Sequence, residues 1–158
     1  KIRIRTYGKA LEVCASNEPA SPYQARFSLS YCAAAALVVG SCRLSVFTPE
    51  RLSDPVLRDV MTRVEASIDE EADAAFPSRR SAHVEIEGTD GQIYRHYSPN
   101  RRGDPEDPLS DGEVTDKLLD LATPLIGKEA TDRLSERLWS LGGGDDMSSL
   151  FEGREKAA

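Results

Sequence analysis

Arg26 is the one charged residue in SPYQARFSLSYCAAAALVVG, Ser21 to Gly40. It follows a helix-start signature: Ser21 as N-cap, Pro22 at the first helical position, and Gln24 closing a Ser-x-x-Gln capping box. A cation in the first turns of a helix opposes the macrodipole by roughly 0.3–1 kcal/mol. Two readings account for it. Free N–H groups at a helix start favour anions, and an arginine beside them can grip a carboxylate through two parallel hydrogen bonds. Alternatively the arginine pairs with a local Glu, and the polar residues simply precede the buried half. At helical spacing Tyr23 and Ser30 share the arginine's face, while Ser28 and Tyr31 form a neighbouring polar edge.

A second basic cluster is Arg101-Arg102 in NRRGDPEDP, with Arg95 and His96 nearby. It reads either as a loop closing over an acidic ligand or as a solvated loop with internal Arg–Asp pairs; the second is preferred. Arg79-Arg80 reads as a solvated turn. His83 and His96, the two histidines, fall at solvent-face positions of strand-like runs, where a structural role is the simpler reading. Phosphate-binding glycine loops, a nucleophile elbow and Cys/His metal patterns are all missing from the sequence. The three cysteines, Cys14, Cys32 and Cys42, have no metal-like spacing. Cys32, in an apolar stretch, reads as a small core residue, and the set as reduced thiols of a cytoplasmic protein.

These residues need elements to position them. Ile2 and Ile4 alternate with Arg3 and Arg5 as a half-buried strand. Tyr7-Gly8-Lys9 reads as a bulge, with extended structure resuming at Leu11-Glu12-Val13. One helix is expected from Pro22 to Gly40, its Tyr31–Val39 half buried and Gly40 its terminator. Thr48-Pro49 and Asp54-Pro55 are further cap-plus-proline starts, followed by helical periodicity to Val64. Val64–Ile68, Ala82–Glu87 and Ile93–Tyr97 alternate as strands. Asp90-Gly91 predicts a type I′ hairpin turn between the last two. Ser110 with Glu113 opens a helix that Pro124 should end or kink, and Lys128–Leu141 is a second amphipathic helix before Gly142-Gly143-Gly144. Met147–Phe151 is expected to dock and Glu152–Ala158 to fray. The fold class is therefore α+β, an antiparallel sheet of three to four strands covered on one face by helices.

Composition bounds the function. The chain has 158 residues, 39% hydrophobic and 30% charged, with net charge −7. That is enough for one domain with a core. The acidic balance argues against a nucleic-acid binder. The longest apolar run, Tyr31–Val39, is too short to span a bilayer. The first residue is not Met, and a strand pattern starts at once, as in a piece of a longer protein.

Taken together, these stretches resemble the MmgE/PrpD family. The resemblance rests on SPYQARFSLSYCAAAALVVG, FTPERLSDPVLRDVMTRVE, the strand pair around VEIEGTDGQ, and RRGDPEDPLSDGEVTDKLLDLA. Within it, Ala25, Arg26, Ser28 and Tyr31 form an A-R-x-S-x-x-Y core, joined to G-D-P-x-x-P-L-S at Gly103–Ser110. The family includes 2-methylcitrate dehydratases, cis-aconitate decarboxylases and iminodisuccinate epimerases. The resemblance implies an α+β lid over 1–123, a helical segment over 124–151 returning to an all-helical partner domain, and a tail over 152–158. It implies a cytoplasmic homodimer without metal or organic cofactor. The expected activity is dehydration or isomerisation of a small polycarboxylate by proton abstraction α to a carboxylate. Substrate-binding residues would be Arg26, Ser28, Ser30 and Tyr31. The acid/base residues are expected mainly in the helical domain, upstream of Lys1. Leu11-Glu12-Val13-Cys14 stands where the decarboxylase branch tends to carry a tyrosine, which weakens that branch. The competing expectation is a non-catalytic docking or dimerisation domain.

Overall fold

Strand β1, Ile2–Thr6, sends Ile2, Ile4 and Thr6 inward and Arg3 and Arg5 outward, as strand alternation requires. The computed structural model describes residues 1–14 and 16–142. β1 leads into helices α1 (Gly8–Val13), α2 (Pro22–Ala25), α3 (Leu29–Val39), α4 (Pro49–Leu52) and α5 (Pro55–Met61). Strand β2 (Val64–Ile68), helix α6 (Glu70–Ala75), strands β3 (Ala82–Glu87) and β4 (Ile93–Ser98), and helices α7 (Asp111–Ile126) and α8 (Lys128–Ser140) follow. The described residues divide into two compact units at the Pro108–Leu109 boundary.

In the first unit the sheet order is β2-β1-β3-β4. β1 pairs with β3, and β3 with β4, antiparallel; β1 pairs with β2 in parallel. The sheet is thus mixed, not antiparallel as the local hairpin signal suggested. Antiparallel neighbours can be joined by a tight turn, whereas β1 and β2 are joined by the five helices α1–α5, a crossover that returns the chain to the same end. Helical cover is also partial. α1 and α3 lie against β2, while on the same face at the β4 end Ile86 is half-buried and Tyr94 exposed.

The main core lies among the helices. Tyr31, Ala34 and Ala35 of α3 meet Val46, Leu52 and Leu57, all buried. The small alanines let α5 approach α3 closely. Ala36, Leu37 and Val38 are exposed, so the expected buried half of α3 is buried along one face only.

Several expectations meet the geometry directly. Thr48 and Asp54 cap α4 and α5, each with Pro at the helix start, and Gly40 ends α3 at φ 76°. Residues 8–13 form a helical turn rather than a bulge and strand, and Gly8 N donates to the Asp73 carboxylate at 2.7 Å. Helix α6 was not expected; Asp69 caps it, with Glu70, Glu71 and Asp73 in its first turn. The β3–β4 hairpin is not type I′, which needs positive φ at both central residues. Only Gly91 has it (φ 78°), and the hydrogen-bonded turn spans Gly88–Gly91.

In the second unit Ser110 and Glu113 form the full capping box of α7. The helix runs two residues past Pro124, because a proline in the last turn removes one backbone bond without preventing the turn. Gly127 alone links α7 to α8 at φ 79°, ψ 160°, a conformation open essentially to glycine. Thr131 and Ser135 are the buried residues of α8; Leu125 is 82% exposed and Trp139 52%. Met147–Phe151, the tail from Glu152, and Gly143-Gly144 lie outside the described residues.

Candidate functional site

The expected helix from Ser21 to Gly40 is two helices. Ser21 Oγ accepts from Gln24 N at 3.2 Å, but α2 stops at Ala25. A second cap then starts α3: Ser28 Oγ accepts from Tyr31 N at 3.1 Å. Each serine offers an oxygen to the N–H three residues on, so the chain is re-capped before the first helix can propagate. Arg26 is therefore the C-cap of α2, where a cation meets the favourable end of the dipole. Arg26 is thus outside both helices, at the end of the single-turn α2 and two residues before the Ser28 cap of α3, rather than within the first turns of one long helix.

The first-turn N–H groups of α3 are not simply open to an anion. Leu29 N donates to Cys14 O at 3.3 Å, and Tyr31 N to Ser28 Oγ. Ser28 and Ser30 are buried, their hydroxyls 3.0 Å apart. Tyr31 is fully buried and donates its hydroxyl to Val46 O at 2.5 Å. Burial raises the Tyr31 phenol above its ordinary value, so it stays protonated and a donor.

Arg26 is exposed. Its guanidinium lies 5.9 Å from the centre of the Phe47 ring, and Phe47 packs on Tyr31 with ring centres 5.8 Å apart. Among the described residues it makes no ion pair. The pairing with a local Glu is thus not seen. Tyr31, Phe47 and Arg26 form a stack from the core to the surface, with Tyr23 and Phe27 as an exposed aromatic pair in the same segment. Phe47 was not anticipated; its signal was its place just before the Thr48-Pro49 cap, where an apolar residue staples the helix entry.

Of the four expected binding residues, the structure places Ser28, Ser30 and Tyr31 inside and Arg26 at the surface. Ser30 also lines a cleft of about 400 Å³ between α1, the start of α3 and β2, with Leu11, Cys14 and Glu65; Arg26 is not among its lining residues.

Other basic groups are engaged with carboxylates, although Arg80, like Arg26, sits over an aromatic ring, 5.8 Å from the centre of Phe76. Arg101 clasps Asp104 through two hydrogen bonds, of 3.0 and 2.8 Å, and Arg102 pairs with Asp107 at 2.5 Å. The hydrogen bonds from Arg101 hold the Asp104 carboxyl below its usual value. On the open sheet face Arg3 and Arg95 both bind Glu85, at 2.6 and 2.8 Å. Desolvation works against its charge, but the bonds from Arg95 and Arg3 prevail and lower the Glu85 pKa. His83 stacks on Tyr97 on this face, ring centres 4.3 Å apart, while His96 sits opposite Val84 on the other face, so the two imidazoles do not converge.

Among the described residues no cluster of His, Cys, Asp and Glu is placed to hold a metal ion. No described helix is long and apolar enough to cross a membrane. No curated protein matches the chain. A family model described as the MmgE/PrpD C-terminal domain matches residues 1–141, most of the chain, and it follows that the chain belongs to the MmgE/PrpD family.

Proposed function

We propose that this chain is the lid portion of a dehydratase or isomerase acting on a small polycarboxylate, and that Arg26 receives one substrate carboxylate. The observation that carries the reading is an exposed guanidinium seated on Phe47 with no carboxylate partner among the described residues. A planar guanidinium offers paired donors that match a carboxylate, and an aromatic platform orients it. Phe47 is in turn held by buried Tyr31, so Tyr31 acts as a positioning residue. Ser28 and Ser30 fix the turn that carries Arg26 by capping α3 and by bonding each other. The base that takes the proton α to a carboxylate would belong to an all-helical domain of the same protein. Arg26 would hold a distal carboxylate while that proton moves, and the lid would exclude water.

In this reading the enzyme works as a cytoplasmic homodimer with no metal or organic cofactor. The lid covers 1–123, and residues 124–151 return to the helical domain. The test is the full-length enzyme assayed on a panel of di- and tricarboxylates. Turnover of at least one is expected, with Arg26→Ala raising its KM and leaving the melting temperature unchanged. Unchanged kinetics with intact folding would remove Arg26 from the site.

The exposed apolar residues support a second reading, a non-catalytic docking or dimerisation domain. Leu37, Tyr94 and Leu125 are 51%, 59% and 82% exposed. If the full-length protein turns over no polycarboxylate yet is dimeric through this portion, the second reading replaces the first.

A further inference from the structure

Arg58, in α5, is half-buried, and the reaction proposed above gives it no role. Nearby in sequence, Arg51 and Arg63 pair with Asp54 and Asp59. Arg58 has no carboxylate partner among the described residues. Its guanidinium donates instead to two backbone carbonyls, from Nε to Leu52 O at 2.7 Å and from Nη2 to Pro19 O at 3.2 Å. Leu52 is the last residue of α4, and Pro19 is fully buried in the segment that enters α2. A planar guanidinium fork holds two acceptors in one fixed geometry, which a compact ammonium does not.

Each acceptor leads to one half of the Arg26–Phe47 contact. From Pro19 the path is short. Ala20 N donates to Gln24 Oε1 at 2.8 Å, Gln24 N donates to Ser21 Oγ at 3.2 Å, and Arg26 is the C-cap of the same single turn. From Leu52 it is equally short. α4 is one turn, its Thr48 cap follows Phe47 directly, and Leu52 belongs to the same buried core as Ala25, the residue before Arg26. We propose that Arg58 is a positioning residue that sets Arg26 over Phe47, by holding the segment that carries the one and the helix that follows the other. The proposal rests on the reading of Arg26 as the receiver of a substrate carboxylate, and Arg58 acts through Arg26 alone. Without the clamp α2 is a single turn anchored by one buried residue, Ala25, and free to shift against Phe47. A displacement of about 1 Å in a substrate-holding group can cost as much as about 100-fold.

The test is a cycle in the full-length enzyme, with Arg26→Ala, Arg58→Lys and the double variant assayed on the best substrate of the di- and tricarboxylate panel. Arg58→Lys keeps the charge and loses the fork. Arg58 borders an open cleft of about 570 Å³ with Asn17 and Met61, so a lysine there stays in water. Arg58→Gln, neutral and able to reach one carbonyl, is measured beside it in case the lysine unsettles the fold. Hydrogen exchange of residues 20–29 is followed in the same proteins. Arg58→Lys should raise KM roughly tenfold with kcat within about twofold, and speed exchange at residues 20–29. It should add nothing to the KM of Arg26→Ala, because no guanidinium is left to position. Arg63→Ala, which removes an exposed pair, should change neither KM nor exchange. Effects on KM that multiply in the double variant would overturn the proposal, as would unchanged exchange at residues 20–29. So would a parental KM in both Arg58 variants while Arg26→Ala still raises it, a result that leaves the carboxylate reading standing. An enzyme that turns over no polycarboxylate, or an Arg26→Ala variant with the parental KM, removes that reading and the positioning role with it.

Discussion

Two arginine-bearing stretches of this chain have opposite surroundings. In Arg101–Asp107 each cation has a carboxylate within the same loop, and Gly103 N closes the turn on Asp107 O at 2.7 Å. Arg26 has an aromatic ring beneath it and no carboxylate among the described residues. A loop that already satisfies its charges gains little from an incoming anion, because each new ion pair replaces an old one. An arginine on a hydrophobic platform exchanges only water. In a chain of net charge −7, a cation without a local carboxylate is the more informative of the two.

The comparison can be broken most forcefully at Tyr31, on which the Arg26 stack stands. Tyr31→Ala should cost about 3–5 kcal/mol in urea unfolding, the range for emptying a buried aromatic position. Tyr31→Phe keeps the ring and leaves the buried Val46 carbonyl without its partner, about 1–3 kcal/mol. If Tyr31→Ala unfolds at the parental urea concentration, the stack is not anchored in the core. Next in size is Arg26→Ala in the full-length enzyme. Loss of a charge-assisted pair corresponds to a KM increase of roughly 10- to 100-fold with little change in stability. The matched control is Arg101→Ala, where KM should move by no more than about twofold, since exposed pairs of this kind contribute little. Equal effects on KM from the two arginines would erase the distinction.

The smallest expected effect is in acid. The Asp104 pKa is lowered in the folded protein, so the clasp stabilises above the unfolded-state value and is lost as pH falls through the folded one. Thermal melts from about pH 7 to about pH 3 should fall off at the acid end. Asp104→Asn should flatten part of that slope, whereas Arg26→Ala should not, having no carboxylate to titrate. A steeper acid limb in Asp104→Asn would contradict the assignment.

Much of the fold was legible because it is written in short-range chemistry. Thr48-Pro49, Asp54-Pro55 and Ser110 with Glu113 cap the helices they signal, and period-two alternation over Val64–Ile68, Ala82–Glu87 and Ile93–Tyr97 marks the strands, the last of which runs one residue further, to Ser98. The errors share a cause. Ser28 competes with helix propagation three residues after Ala25, and a window scanning for one long helix averages over it. The short helices at Gly8 and Glu70 are set by a carboxylate brought from another segment and by a single cap, which apolar periodicity does not register. At the candidate site Arg26 was conspicuous by its charge, while Phe47, distant in sequence, was not.

The sequence by itself determined the class of the fold, where α2, α4, α5, α7 and α8 begin, the strands and the family resemblance, because caps and alternation act over a few residues. Only the tertiary structure decided the parallel pairing of β1 with β2, since that depends on where a long helical crossover returns the chain. It also decided that Ser28, Ser30 and Tyr31 face inward while Arg26 stays outside. Those outcomes rest on burial and on contacts between distant residues, and a linear pattern carries neither.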